Sequence, residues 1–101
     1  MSEAAVSLGS AGELNLSGVL DFRSGPALRK EGQALIKGWS GPSLVVDCSA
    51  VGKSSSVGLS LLLAFMRDAK AAGKSLKIRA LTDDMREIAE VYGVVELLEA
   101  G

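Results

Sequence analysis

The 101-residue sequence contains no histidine and only one cysteine, Cys48. Without histidine the chain lacks the usual general base of serine and cysteine hydrolases and the commonest protein ligand of transition metals. A lone cysteine cannot form an internal disulfide, and its position after an apolar run predicts a buried, unreactive thiol. We therefore predict no catalytic residue, no metal site and no cofactor.

Excess charge and long apolar stretches are also missing. The 11 basic and 12 acidic residues give a net charge of −1, which argues against a nucleic-acid partner. The longest apolar run, Leu61 to Met66, is far shorter than the roughly 20 residues that cross a bilayer, and no secretion signal opens the chain. We expect a single cytoplasmic domain over residues 1–101 that reaches a membrane only indirectly, through other proteins.

A strand followed by a helix lies at the centre of the chain. The apolar run Leu44 to Val46 predicts a strand that is buried on both faces and ends at Asp47. Ser56 then occupies a position suited to a helix N-cap, where its hydroxyl would accept a backbone N–H. Apolar side chains at helical spacing follow and predict a second helix: Leu59, Leu62, Leu63 and Met66.

The N-terminal half predicts a hairpin and a first helix. Residues Ala4 to Leu8 and Glu13 to Ser17 alternate in polarity, as strands with one buried face do. Pro26 suits the first turn of a helix that Ser24 would cap. The buried face of that helix is predicted to carry Leu28, Leu35, Ile36 and Trp39.

The C-terminal third predicts a further strand and a third helix. Gly73 suits the end of the second helix, and Ser75 to Arg79 alternates as a strand. Thr82 can cap the third helix, from which Tyr92 is predicted to face inward. These elements predict an α/β fold, a mixed β-sheet of about four to five strands with helices packed on one face.

Two motifs resemble those of the STAS family. Gly18, Leu20 and Asp21 match its Gly-x-Leu-Asp motif after the second strand, and Ser56, Gly58 and Leu59 match the motif at the start of the second helix. Ser55 differs, since the family usually has an aspartate there. The resemblance covers nearly the whole chain in the order and spacing of its elements, and it implies a single STAS domain.

Two further segments, Gly58 to Leu63 and Ala89 to Val94, resemble the STAS subunits of phospholipid-transporting ABC complexes in Gram-negative inner membranes. That resemblance implies a non-catalytic cytoplasmic subunit, peripheral to the inner membrane through its complex. Its partner would be the ATPase of a transporter that moves phospholipids between inner and outer membranes and so maintains outer-membrane lipid asymmetry. The alternative is an anti-sigma-factor antagonist in a partner-switching pathway, in which a kinase phosphorylates the serine that matches Ser56.

The predicted partner-binding site joins one loop residue to the start of the second helix: Asp21, Ser54, Ser55, Ser56, Val57, Gly58 and Leu59. Three interpretations of Ser56 stay open, namely a helix cap, an unmodified interface contact and a phosphorylation site. Asp21 and Phe22 have two interpretations. They either form a patch with Val57 and Leu59 as its apolar centre, or act as a loop cap and a core residue.

An enzymatic interpretation is disfavoured. A nucleophile elbow needs Gly-x-Ser-x-Gly and a histidine base, and Ser56 has neither. A Ser-Lys pair through Lys53 is conceivable, but a lysine in an exposed turn is usually a solvated charge. Arg67, Asp68 and Lys70 are predicted to form a solvated face of the second helix, or the rim of an interface.

Overall fold

The computed structural model describes the backbone of residues 4–100 and the side chains of residues 4–98. The predicted domain range of 1–101 extends beyond these residues at both ends. Strands and helices largely alternate along the chain: β1 (Ala5–Leu8), β2 (Glu13–Leu20), α1 (Gly25–Gly38), β3 (Ser43–Ser54), α2 (Ser56–Ala71), β4 (Ser75–Arg79), α3 (Asp83–Val91) and α4 (Val95–Ala100). Within the described chain, no helix is both long enough and apolar enough to traverse a bilayer.

The four strands form one mixed sheet in the order β1-β2-β3-β4. Strand β1 pairs with β2 in antiparallel orientation, whereas β2 with β3 and β3 with β4 are parallel pairs. Each parallel pair is connected through a helix, because a strand that must restart at the same end of the sheet needs a crossover. The predicted fold class, an α/β mixed sheet with helices packed on it, is confirmed.

The core lies between one face of the sheet and the helices. Leu14, Leu16, Gly18 and Leu20 of β2 are buried, while the alternate residues 15, 17 and 19 are not, so side chains alternate between the two faces. Val45 of β3 is only half-buried, and the prediction that this strand is buried on both faces is wrong. The opposite face of the sheet is largely polar and open, since the helices pack on the other side.

Strand β3 is longer than predicted. It does not end at Asp47 but continues to Ser54, because β2 still pairs with it up to Leu20 opposite Ser54. Strand β4, in contrast, reaches only Asp47 opposite Arg79. The ends of β2 and β3 therefore project beyond β4.

Asp47 lies on the open face, where it is held by its neighbours. Its carboxylate accepts the Ser49 N–H at 2.8 Å and pairs with the Arg79 guanidinium at 2.7 Å. The hydrogen bonds from Ser49, aided by Arg79, lower the pKa of Asp47 from 3.8 to about 2. The adjacent Cys48 points into the core instead, and its burial raises the pKa of the thiol to about 12, as expected of an unreactive cysteine.

Helices α1 and α2 approach closely at Gly32. A side chain at this position would overlap the ring of Phe65, which is fully buried, so only glycine allows the two helices this separation. Beside that contact, Arg29 of α1 forms a bidentate ion pair with Asp68 of α2, with one N–O distance of 3.1 Å. The Asp68 side chain is only 9% exposed, so its predicted place on a solvated face is wrong, whereas Arg67 and Lys70 are exposed.

Two predictions about helix ends need correction. Ser24 precedes α1, but its side chain does not cap the helix and instead donates a hydrogen bond to the Val19 carbonyl at 3.0 Å. Tyr92, the C-cap residue of α3, is 62% exposed, so the prediction that it faces inward is wrong. Thr82 does cap α3, accepting the Met85 N–H at 3.2 Å, as predicted.

The Gly32 contact yields a stability prediction. Gly32→Ala should lower the free energy of unfolding by about 1–3 kcal/mol, because the added methyl group overpacks the Phe65 ring. The control is Gly38→Ala at the end of the same helix, where nothing lies within 4 Å. That variant should be neutral or gain up to about 1 kcal/mol from helix propensity. Urea denaturation measures both, and equal destabilisation by the two would contradict the packing argument.

The lowered pKa of Asp47 predicts a pH dependence. Its carboxylate contributes stability at pH values above the ordinary pKa of 3.8, and this contribution is lost as the pH falls toward about 2. Asp47→Asn should therefore destabilise the protein at pH 7, and the difference from wild type should shrink steadily between pH 5 and pH 2. Urea midpoints across that range test this. A difference that does not change with pH would show that the ionised carboxylate is not what matters.

Candidate functional site

The start of α2 is formed by Ser54 to Gly58, which we call the serine corner. Ser55 has an extended backbone, with φ −88° and ψ −174°, and its Oγ accepts the Val57 N–H at 3.2 Å. Ser55 is thus the N-cap, and the prediction that Ser56 caps the helix is wrong, since Ser56 is already the first helical residue. Serine and aspartate are both favoured at N-caps, so Ser55 keeps the capping role without a charge.

The serine corner is packed tightly against the sheet. The Ser55 N–H donates to the Leu20 carbonyl at 2.9 Å, which ties the end of β3 to the end of β2. A side chain at Gly58 would overlap the Ser54 hydroxyl and come within 3.2 Å of Leu20 Cδ1. The glycine of the second motif therefore allows α2 to begin directly on the sheet.

Ser56 is exposed on this corner. Within residues 4–100 its hydroxyl makes no hydrogen bond, in contrast to those of Ser54 and Ser55. The capping interpretation therefore does not apply to Ser56. An interface contact and a phosphorylation site both need an accessible, unengaged hydroxyl, and they remain the two predictions for this residue.

The Asp21 loop lies beside the serine corner. The Asp21 carboxylate accepts the N–H groups of Arg23 at 2.9 Å and Ser24 at 3.2 Å, so this residue does cap its loop. The loop leaves Phe22 outside the core, with 73% of its surface exposed, and the interpretation of Phe22 as a core residue is wrong. The two segments touch where Gly25 packs against Val57. A side chain at Gly25 would place its Cβ only 2.8 Å from Val57 Cγ1.

Two shallow grooves flank the N-terminal half of α2. The groove toward α1, which we call the α1–α2 groove, has a volume of about 440 Å³. Residues from the Asp21 loop, α1 and α2 line it: Phe22, Gly25, Pro26, Arg29, Val57, Ser60, Leu61, Ala64 and Arg67. The groove toward α3 has a volume of about 340 Å³ and is lined by Ser56, Leu59, Ser60, Leu63, Tyr92 and Val94. Ser60 lines both grooves, whereas Ser56 lines only the groove toward α3, and each groove has an exposed aromatic side chain, Phe22 or Tyr92.

The structure separates the predicted apolar centre. Val57 lies in the α1–α2 groove with Phe22, whereas Leu59 is only 5% exposed and belongs mainly to the core. Sequence reasoning missed Ser60 and Tyr92. Ser60 was detectable, because it lies one helical turn after Ser56. Tyr92 gave no such signal, since its spacing from Ile88 and Ala89 is that of a buried helix face.

The corner presents hydroxyl groups, a helix N-terminus and flanking apolar surface, which suit a protein contact. Lys53, the only candidate to assist a serine nucleophile, is exposed. In the described part of the chain, no three acidic, cysteine or histidine side chains are grouped so that they could hold a metal ion.

A family model described as the MlaB STAS domain matches residues 4–99. The chain belongs to this family. STAS domains typically engage protein partners and are generally regulatory rather than catalytic. No curated protein matches the chain in sequence.

Solved structures of STAS proteins share the fold. An anti-sigma factor antagonist from Mycobacterium paratuberculosis is 26% identical, with a TM-score of 0.75 over 95% of this chain and 81% of its own. The unphosphorylated anti-sigma factor antagonist SpoIIAA is 15% identical, with a TM-score of 0.71 over 92% and 83%. Phosphorylated SpoIIAA from Bacillus is 16% identical, with a TM-score of 0.67 over 96% and 88%.

The N-cap assignment predicts different effects for adjacent serines. Ser55→Ala should lower the free energy of unfolding by about 1 kcal/mol, because the Val57 N–H loses its acceptor. Ser56→Ala should change the free energy of unfolding by less than about 0.5 kcal/mol. Ser55→Asp should leave it near the wild-type value, because aspartate also caps helices. Urea denaturation of the three variants measures these effects. A larger loss for Ser56→Ala than for Ser55→Ala would reverse the assignment.

Proposed function

We propose that this STAS domain is a non-catalytic subunit that binds the ATPase of an ABC transporter moving phospholipids between the inner and outer membranes. The match to the MlaB STAS domain over residues 4–99 carries this proposal. Through that ATPase the domain would lie at the inner membrane without inserting into it. All ATP chemistry would belong to the partner.

The serine corner supports a role in binding. Ser60 lines two grooves and Ser56 lines one of them, and each groove has an exposed aromatic side chain, Phe22 or Tyr92. Aromatic side chains are enriched in protein interfaces, because each buries a large area on binding. We propose that Asp21 and Ser54 to Gly58 form the centre of the ATPase interface.

The second candidate function is that of an anti-sigma-factor antagonist controlled by phosphorylation of Ser56. Two observations favour it. The 26% identical structure is an anti-sigma factor antagonist, and the Ser56 hydroxyl is exposed and forms no hydrogen bond with residues 4–100. A phosphate there would add about −1.5 to −2 charge at the corner, enough to change which partner binds.

Charge or bulk at Ser56 should disrupt the ATPase complex. Ser56→Glu and Ser56→Arg should each reduce co-purification with the ATPase at least about tenfold, because both place a large charged group at the proposed centre of the interface. Circular dichroism should stay near wild type, since the side chain is exposed. Ser40→Glu, in the exposed loop after α1, is the matched control. If both Ser56 variants co-purify with the ATPase as well as wild type does, Ser56 does not belong to the interface.

The two candidate functions predict different results with a kinase. If the protein is an anti-sigma-factor antagonist, incubation with its anti-sigma kinase and ATP should add one phosphate, visible by intact mass spectrometry and lost in Ser56→Ala. If it is the transporter subunit, the mass should not change and the unmodified protein should bind the ATPase. Stoichiometric phosphorylation of Ser56 would favour the second candidate.

A further inference from the structure

The α1–α2 groove has an apolar lining, in which Pro26 is exposed, Val57 is half-buried, and Leu61 and Ala64 at the base are only 3% and 5% exposed. Val57, Leu61 and Ala64 of α2 form one side, and Pro26 of α1 forms the other. Between Val57 and Arg67 the groove follows α2 for about 15 Å, at 1.5 Å per residue. Its length suits a short segment of another chain.

Phe22 closes one end of this groove. The Asp21 carboxylate accepts hydrogen bonds from the Arg23 and Ser24 N–H groups and so holds the loop in a tight turn. The Phe22 ring projects from this turn. The Arg23 guanidinium lies over the ring, 5.6 Å from its centroid. A large apolar side chain 73% exposed and next to an apolar groove marks a contact surface.

The rim of the groove is positively charged. Arg29 is neutralised by its bidentate ion pair with Asp68. Arg67 is exposed at the other end of the groove and forms no ion pair with any described residue. Among the side chains that the structure describes, no acidic one lines the groove, whereas Glu90 and Glu96 line the surface at α3 and α4. An acidic group of a partner is therefore attracted to the α1 side of α2 and not to its α3 side.

We propose that the α1–α2 groove binds an acidic, apolar segment of the partner ATPase, which inserts an apolar side chain between Phe22 and Leu61 and places a carboxylate on Arg67. The inference rests on the proposed function and adds the chemistry of the segment that the partner supplies. The apolar contact supplies most of the affinity, and the Arg67 ion pair sets the orientation of the segment. Contact at the serine corner and contact in the groove are then parts of one continuous interface, because both include Val57.

The test measures the affinity of the full-length chain for the purified ATPase at 50 mM and 500 mM NaCl. Phe22→Ala should weaken binding about tenfold or more at both salt concentrations, as expected of an apolar anchor. Arg67→Glu should weaken it about tenfold at 50 mM NaCl and less at 500 mM, since salt screens the charge. Arg67→Gln should bind with a smaller salt dependence than wild type. The control is Lys77→Glu on the open face of the sheet, which should stay within about twofold of wild type.

The outcomes separate this proposal from the proposed function. If wild type binds the ATPase and the Phe22 and Arg67 variants bind as the Lys77→Glu control does, the groove proposal is overturned while the proposed function stands. If wild type does not bind the ATPase, both are overturned. Light scattering gives a third outcome. If wild type is a dimer and the Phe22→Ala variant is a monomer, a second copy of the chain occupies the groove, and the proposal is overturned.

Discussion

The backbone hydrogen bond between Ser55 and Leu20, 2.9 Å long, joins the ends of two parallel strands, and the functional surface depends on it. Parallel strands end at the same edge of a sheet, and β2 and β3 both extend beyond β4. Two loops distant in sequence, one carrying Asp21 and the other the serine corner, therefore emerge side by side. Gly58 allows α2 to start against this edge, and Ser56 in its first turn stays exposed.

The helices behind this surface form a rigid support. Gly32 brings α1 against Phe65 of α2, and the ion pair between Arg29 and Asp68 connects the same helices outside the core. The Lys74 ammonium group donates to the Ile36 carbonyl at 2.7 Å and so links the end of α1 to the turn before β4. A partner that binds across α1 and α2 meets two helices with a fixed separation. Little conformational entropy is then lost at the interface, which favours affinity.

STAS domains typically engage protein partners, and this chain differs from the family motif at one position of the serine corner. Ser55 replaces the usual aspartate and retains its N-cap hydrogen bond, but it brings no negative charge beside Ser56. Arg67 adds an exposed positive charge further along α2. Both features fit the proposed acidic partner segment, and a phosphate on Ser56, as in the second candidate function, would repel such a segment.

The sequence alone was sufficient to predict the order of strands and helices from β1 to α3 and the glycine motif at α2, because these follow from local periodicity and residue type, whereas the type of the last element, α4, was not predicted. Contacts between distant segments decided the rest. Pairing with β2 carried β3 past Asp47 to Ser54. The start of α2 at Ser56, one residue earlier than predicted, gave the cap to Ser55 and left the Ser56 hydroxyl without a hydrogen-bond partner among residues 4–100. Burial of Asp68 and exposure of Phe22 likewise depended on what each side chain met in the folded chain. Periodicity shows that a residue lies on one side of an element, but only tertiary packing determines whether another element covers that side.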